Sequence, residues 1–287
     1  MLMKEILSNV IDSLPPLPET VTKLQSYMAA AGGEVRMQKV VDILSKDPLI
    51  TAELLRLANS PFYGFSREIT TIQQVVSLLG VTNIKNAVIA SSIKNKLQVD
   101  VSPYGLDTKA FLAQCSAESN FITDWLNEED KALAQLLVPC SMLMRLGMIL
   151  IANILISNHK DTEFLAALKA NNFKNISLLE DEFCGVDSLS FLGFLFDHWK
   201  FDETLIQTIA YIPAPHAATD EVKRNVYALA IANQVFDPYD GGSVYRMSVV
   251  KGLFKEANDR DVHYNYDNFV KRIPNSARTN LEQLIEI

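Results

Sequence analysis

The chain has 287 residues, of which 48% are hydrophobic and 21% are charged, which excludes a disordered composition and provides enough apolar material for a folded core. Its net charge of −8 and the lack of any Lys/Arg cluster argue against a protein that wraps DNA or RNA, because phosphate contacts supply most of that affinity. The three cysteines are widely spaced in apolar surroundings, which indicates reduced thiols rather than a disulfide framework or a zinc site.

No segment near the N-terminus resembles a signal peptide, because residues 1–13 are amphipathic and lack an apolar core. The most apolar stretch, residues 146–156, is too short for a bilayer span, which takes about 20 apolar residues. We therefore expect a cytoplasmic protein without membrane insertion, in which residues 146–156 form a central core helix.

Apolar residues recur at helical spacing through the first hundred residues. Asp47 and Pro48 predict a helix start, because Asp caps backbone N–H groups and Pro loses nothing at the first helical position. Pro61 predicts the end of that helix, since it disfavours a helical conformation in the residue before it. Gly80 predicts the end of the next helix.

Residues 98–104 are the best linker candidate, with Pro103 inside them. Beyond them, Asp107 predicts a helix start, and either Asp187 or Ser188 opens a later helix. No run alternates apolar and polar residues as a strand would. The sequence predicts an all-α fold, with an N-terminal helical bundle over residues 1–100 and a larger bundle with C-terminal helices over residues 101–287.

Few residues suit hydrolytic chemistry. No two of the four histidines stand four residues apart on one helix, and the chain has no phosphate-binding or nucleophile-elbow glycine motif. A metallohydrolase needs several His, Asp and Glu side chains around one cation. The sequence therefore predicts no catalytic residue, no metal and no cofactor. The histidines are His159, His198, His216 and His263.

An ordered set of short motifs runs through the first eighty residues. They are LPPLP at 14–18, DP at 47–48, LLRLANSPFYG at 54–64 and SLLG at 77–80. In this order they resemble the HDOD family, bacterial output domains related to HD phosphohydrolases, and the likeness extends over about residues 10–235. The resemblance implies an N-terminal bundle packed on an HD-like helical bundle, in regulatory proteins that usually lack demonstrated catalysis.

The chain departs from the family pattern where the resemblance would place metal ligands. Met144 and Arg145 stand at the His and Asp positions, Ser188 stands where His is common, and Tyr211 replaces part of a His pair. These four residues define a predicted degenerate HD pocket. A thioether is a weak ligand for hard cations and a guanidinium is itself cationic. For Arg145, one interpretation is a pair with a carboxylate or exposure at the surface. The other is reception of an anion such as a nucleotide phosphate.

The second candidate site is an interaction surface formed by Arg56, Asn59, Ser60 and Tyr63. Polar loop residues on a rigid scaffold often serve recognition. The alternative interpretation is a helix end followed by a tight turn, with Asn59 bonded to the backbone.

Together these features predict a non-catalytic signal-transduction module of a bacterial pathway. It would act through a protein partner, and a nucleotide or another small anion is a second candidate ligand. The alternative is a phosphohydrolase acting on nucleotides or cyclic dinucleotides through a rebuilt metal site. That site would need His159, His198 or His216 to converge with Asp and Glu side chains.

Overall fold

The computed structural model describes residues 17–32, 34–60, 63, 65–94 and 98–284. The chain divides into two compact units. Of the described residues, those between 17 and 94 and Trp199–Asp202 form the N-terminal unit, and those of 98–198 and 203–284 form the C-terminal unit. Within the described ranges every regular element is a helix, so the predicted all-α fold is confirmed. The predicted boundary at residue 100 stays a prediction.

Five helices form the described part of the N-terminal unit: α1 Glu19–Ala31, α2 Met37–Leu44, α3 Pro48–Ala58, α4 Ile72–Leu79 and α5 Val81–Lys94. Asp47 begins α3 as its sequence predicts, since the carboxylate accepts the N–H groups of Leu49 and Ile50. Gly80 ends α4, and α4 and α5 meet at an angle of 114°.

The short segment Trp199–Asp202 belongs to the N-terminal unit although it is remote in sequence. Gln25 on α1 donates to the Trp199 carbonyl at 2.6 Å. On α5, Lys85 Nζ lies 2.9 Å from Asp202 Oδ1 and Asn86 Nδ2 lies 2.6 Å from Asp202 Oδ2. The Asp202 carboxylate thus provides a partner for the buried Lys85 ammonium and for the buried Asn86 amide nitrogen of α5.

The helices of the C-terminal unit are α6 Thr108–Glu129, α7 Lys131–Leu143, α8 Leu146–Ser157, α9 Asp161–Ala170, α10 Ile176–Cys184, α11 Ser188–His198, α12 Glu203–Ala210, α13 Lys223–Val235, α14 Val244–Asp259, α15 Tyr266–Arg272 and α16 Asn275–Gln283. Two 3-10 turns, Ser102–Tyr104 and Pro215–Ala217, complete it. An aromatic cluster of Phe121, Trp125, Phe254, Tyr264 and Phe269 packs α6 against α14 and α15.

One residue joins α6 to α7. The backbone N–H of Asp130 bonds to the Leu126 carbonyl and so ends α6, while its carboxylate accepts the N–H groups of Ala132 and Leu133 and so begins α7. Its second carboxylate oxygen lies 3.2 Å from Arg224 Nη1 on α13. These bonds therefore fix how α7 follows α6.

Helix α8 lies in the core, as the sequence predicts, with nine of its residues buried. Together α7 and α8 form a 27-residue stretch, Lys131–Ser157, whose length and composition would suit a membrane span. Within it, 78% of the most apolar window is buried inside the protein. Length and composition alone do not distinguish such a core helix from a span.

The segment expected to be a linker is packed instead. Val101 and Tyr104 are fully buried, and the Ser102–Tyr104 turn contacts α8 and α9. Pro103 signals a break in helical structure, and here that break is a 3-10 turn inside the C-terminal unit.

Candidate functional site

Two of the predicted pocket residues form the break between α7 and α8. Met144 and Arg145 lie between the helices, and Arg145 immediately precedes the first residue of α8. The Met144 side chain is buried. The Arg145 side chain is 10% exposed, so its charge must be compensated inside the protein.

That compensation comes from Glu118 on α6. Arg145 Nε donates to Glu118 Oε2 at 2.8 Å and Nη2 donates to Oε1 at 2.9 Å, a bidentate pair with a carboxylate that is 1% exposed. Nη2 also donates to the carbonyls of Phe236 at 2.7 Å and Asn233 at 3.3 Å. One guanidinium therefore ties α6, the start of α8 and the end of α13 together.

A second arginine extends this polar region beyond α13. Arg246 on α14 donates to Asp240 Oδ1 at 2.7 Å and to Gln234 Oε1 at 2.8 Å, and it pairs with Asp237 Oδ2 at 2.9 Å. Burial raises the pKa of the Asp237 carboxyl, and the Arg246 charge opposes that rise. Arg145 and Arg246 thus both bind residues at the end of α13 and in the segment that follows it.

The residues at the break do not fit a divalent metal ion. The Arg145 guanidinium carries the positive charge itself, and the Met144 thioether is a poor donor to hard cations. Among the residues that the structure describes, no group of three or more His, Cys, Asp or Glu side chains is placed to hold a metal. Burial raises the pKa of the Glu118 carboxyl, while the Arg145 guanidinium acts to lower it. The geometry is that of a structural ion pair.

Ser188 and Tyr211, the other two pocket residues, make different contacts. Ser188 lies beside the first turn of α8, because its carbonyl oxygen approaches Gly147. Its backbone N–H donates to Glu180 Oε2 at 2.7 Å. Tyr211 packs against a small apolar cluster of Ala218, Val222 and Val226. No described contact brings Ser188 or Tyr211 to the Arg145 guanidinium.

Glu180 on α10 is a buried carboxylate that has no cationic partner among the residues with a described position. Its side chain accepts the Tyr104 hydroxyl at 2.6 Å and the Ser188 N–H at 2.7 Å, and the residue is 1% exposed. Burial raises the pKa of the Glu180 carboxyl to about 7, and the two hydrogen bonds act in the opposite direction. This group titrates near neutral pH.

The predicted interaction residues after α3 lie in the N-terminal unit, and only part of them is exposed. The Arg56 side chain is 81% exposed and contacts Glu53 at 3.3 Å. Asn59 acts as an internal clamp: its amide donates to the carbonyls of Leu55 and Ile69 and accepts the Ile69 N–H.

The other two residues of this set point inward. Tyr63 is buried and stacks on Phe65, and burial raises the pKa of its hydroxyl. The Ser60 hydroxyl is buried, and the described residues offer it no hydrogen-bond partner. Close by, α3 and α5 form the sides of a shallow groove, lined mainly by Ile50, Leu54, Leu57, Ala87 and Val88, with Glu53, Ser91 and Ser92 as its polar members.

Sequence reasoning missed both buried glutamates. A signal for Glu118 was present, because it stands within the apolar stripe of α6 that runs through Phe111, Phe121, Ile122 and Trp125 at helical spacing. Glu180 begins the acidic run 180–182, which has the composition of a solvated helix face. It shares a helix face with the buried Cys184 four residues later.

Comparison with known proteins identifies one protein family. The HDOD domain model matches residues 14–215. The crystal structure of a virulence factor from Campylobacter jejuni subsp. jejuni is 50% identical in sequence, covers 97% of this chain and 100% of its own, and superimposes with a TM-score of 0.65.

More distant relatives share less sequence. A candidate phosphohydrolase from Shewanella amazonensis SB2B is 22% identical, with 97% of each chain covered and a TM-score of 0.65, and this likeness shows the fold alone. An uncharacterized protein of Treponema pallidum (strain Nichols) is 22% identical over 238 residues, which are 82% of this chain. The chain spans 44% of the length of that curated relative.

Proposed function

Because the chain belongs to the HDOD family, we propose that it is a regulatory module that acts by binding another protein and does not hydrolyse phosphate esters. The observation that carries this proposal is the bidentate pair between Arg145 and Glu118. It occupies the helix break at which the family resemblance would expect metal ligands.

The chemistry of the pair supports a non-catalytic role. Metal-assisted hydrolysis needs a cation with an open coordination position for water or substrate. The Arg145 guanidinium supplies a positive charge, but Nε and Nη2 are already bonded to a carboxylate and two carbonyls. A phosphate anion that approached Nε or Nη2 would have to displace Glu118 or a carbonyl, and loss of the pair would leave a buried carboxylate without its partner. Anion binding at this position is therefore disfavoured.

The Campylobacter jejuni relative supports a biological setting for the module. That protein is described as a virulence factor, and half of its residues are identical to those of this chain over nearly the whole length. We extend to this chain a role in a bacterial pathway of the same kind, exerted through a protein partner.

A hydrolase assay tests the catalytic half of the proposal. The purified chain would be supplied in turn with Mn²⁺, Fe²⁺, Ni²⁺ and Zn²⁺ and assayed on a nitrophenyl phosphodiester, nucleotides and cyclic dinucleotides. We expect no turnover above background and no stoichiometric metal by elemental analysis. Metal-dependent turnover that is lost in a His198→Ala or His216→Ala variant would establish the phosphohydrolase alternative.

Capture of protein partners tests whether the chain acts by binding another protein. Replacement of the exposed Arg56 is the variant for this experiment. The Arg56 side chain is 81% exposed, and a pair made by such an exposed charge contributes little to stability, so Arg56→Ala should fold normally. Lys23→Ala is the matched control, because it also removes an exposed cation that pairs within its own helix, with Glu19. We expect a partner captured from cells at endogenous expression to be retained by Lys23→Ala and weakened by Arg56→Ala. Equal retention by both variants removes Arg56 from the interaction surface, and no specific partner in repeated captures counts against the proposal.

A further inference from the structure

The described residues around Glu180 leave its charge uncompensated. Tyr104 is fully buried and packs edge-on against Phe164, which in turn packs edge-on against Phe183. In the described part of the chain, no Lys, Arg or His side chain forms an ion pair with Glu180. A buried carboxylate without a cation is costly, and the cost disappears when it takes up a proton.

The titratable groups around Glu180 do not relieve this cost. Tyr104 and Tyr239 face it from the 3-10 turn and from the segment after α13, and both carry raised hydroxyl pKa values. Asp187, which precedes α11, raises the pKa of Glu180 further. Cys184 is on the same helix as Glu180, and burial raises the pKa of its thiol to about 11. Lys160, which lies 6.0 Å from the centre of the Phe183 ring, opposes that rise.

Glu180 joins three separate segments. Its helix is α10, one oxygen binds the Ser102–Tyr104 turn, and the other binds the first residue of α11. The Tyr104 carbonyl is held as well, by the Tyr239 hydroxyl at 2.8 Å. If these segments separate, water reaches the carboxylate and its charge is solvated. Separation is therefore favoured when Glu180 is ionised and disfavoured when it is protonated.

We propose that Glu180 is a pH-sensitive switch: the proton-bound form keeps the Ser102–Tyr104 turn and the start of α11 closed around it, and loss of the proton favours their opening. The switch responds to the bound proton alone, and it does not depend on whether the chain binds a partner or hydrolyses a phosphate ester.

Hydrogen exchange of the Ser188 amide measures the opening directly, because that N–H donates to Glu180. After correction for intrinsic exchange, protection in the wild-type protein should fall on the order of 100-fold between about pH 5 and pH 7 and level off above that range. In Glu180→Gln, which keeps the shape and removes the charge, protection should not vary with pH beyond the background of amides remote from the site. Protection of Ser188 in the wild type that is independent of pH would overturn the proposal.

Tyr104→Phe provides a second variant that keeps the carboxylate. It removes the hydroxyl that stabilises the ionised form, so the midpoint of the pH dependence should move upward. A purely structural role for the Tyr104–Glu180 contact would lower protection equally at every pH and leave the midpoint unchanged. If Glu180→Gln does not fold, infrared spectroscopy of the wild type still decides. The infrared band of a protonated carboxyl must disappear with the same pH midpoint as the loss of Ser188 protection. The absence of that band at low pH refutes the switch.

Discussion

Gly147 on α8 faces the carbonyl of Ser188 so closely that a Cβ atom at Gly147 would lie 1.9 Å from that oxygen and 2.7 Å from the carbonyl carbon. The Ser188 backbone is thereby fixed from two sides, since its N–H donates to Glu180. This contact sets how near α8 and α11 can approach, and only glycine allows it.

Gly147→Ala should lower the free energy of unfolding by about 3 kcal/mol or more, because the clash is with backbone atoms that cannot rotate away. Gly252→Ala on α14 is the control, since a Cβ there meets nothing within 4 Å. This second variant should be neutral or more stable by up to about 1 kcal/mol. Urea denaturation of both variants measures the difference, and equal stabilities would contradict the close approach.

Arg145 and Glu118 should show strong energetic coupling. Arg145→Met or Glu118→Leu alone leaves a buried charge without its partner and should cost about 3–5 kcal/mol. The double variant should cost much less than the sum of the two.

The exposed pair of Lys23 and Glu19 is the reference cycle for that measurement, with an expected coupling below about 1 kcal/mol. Denaturation of all single and double variants yields both coupling energies. Additive costs at Arg145 and Glu118 would mean that the two side chains do not depend on each other.

Glu180 should give the protein a distinctive pH dependence of stability. Its pKa is raised from 4.5 to about 7 on folding, so its contribution to stability is fully present below pH 4.5 and is lost as the pH rises to 7. Relative to Glu180→Gln, the wild type should lose about 3 kcal/mol across that interval and nothing more above it. Thermal or urea unfolding at several pH values measures the difference, and a wild type that gains stability relative to Glu180→Gln would show that the sign is wrong.

Asn59→Ala should lower stability by about 2 kcal/mol. The change removes two donated bonds and one accepted bond, and it leaves the Ile69 N–H and carbonyl without their partner. Asn83→Ala, which loses a single bond to the Leu79 carbonyl, should cost less than about 1 kcal/mol. Guanidinium denaturation of the two variants compares them, and an equally small effect would mean that Asn59 is not a clamp.

Local signals in the sequence predict much of the fold. Asp47 and Gly80 mark helix ends through bonds to neighbouring backbone groups, so a short window of sequence contains the information. The pair of Arg145 and Glu118 joins residues 27 positions apart, and no local pattern specifies which carboxylate the guanidinium meets.

The candidate site was less predictable for the same reason. The family resemblance grouped Ser188 and Tyr211 with Arg145 by their place in a motif, whereas their described contacts go to Glu180, Gly147 and a separate apolar cluster. The burial of the Glu180 side chain involves Tyr104, a residue from a remote segment of the chain, which spacing alone does not report.

Asp130 alone connects α6 to α7, so this connection has no spare length. Each residue added there would turn α7 by about 100° about its own axis. The apolar side of α7 would then face away from α6. Met144 and Arg145, at the far end of α7, would be displaced from Glu118. Natural variation in chain length should therefore be absent at this joint and fall in the longer connections, such as the one between α12 and α13.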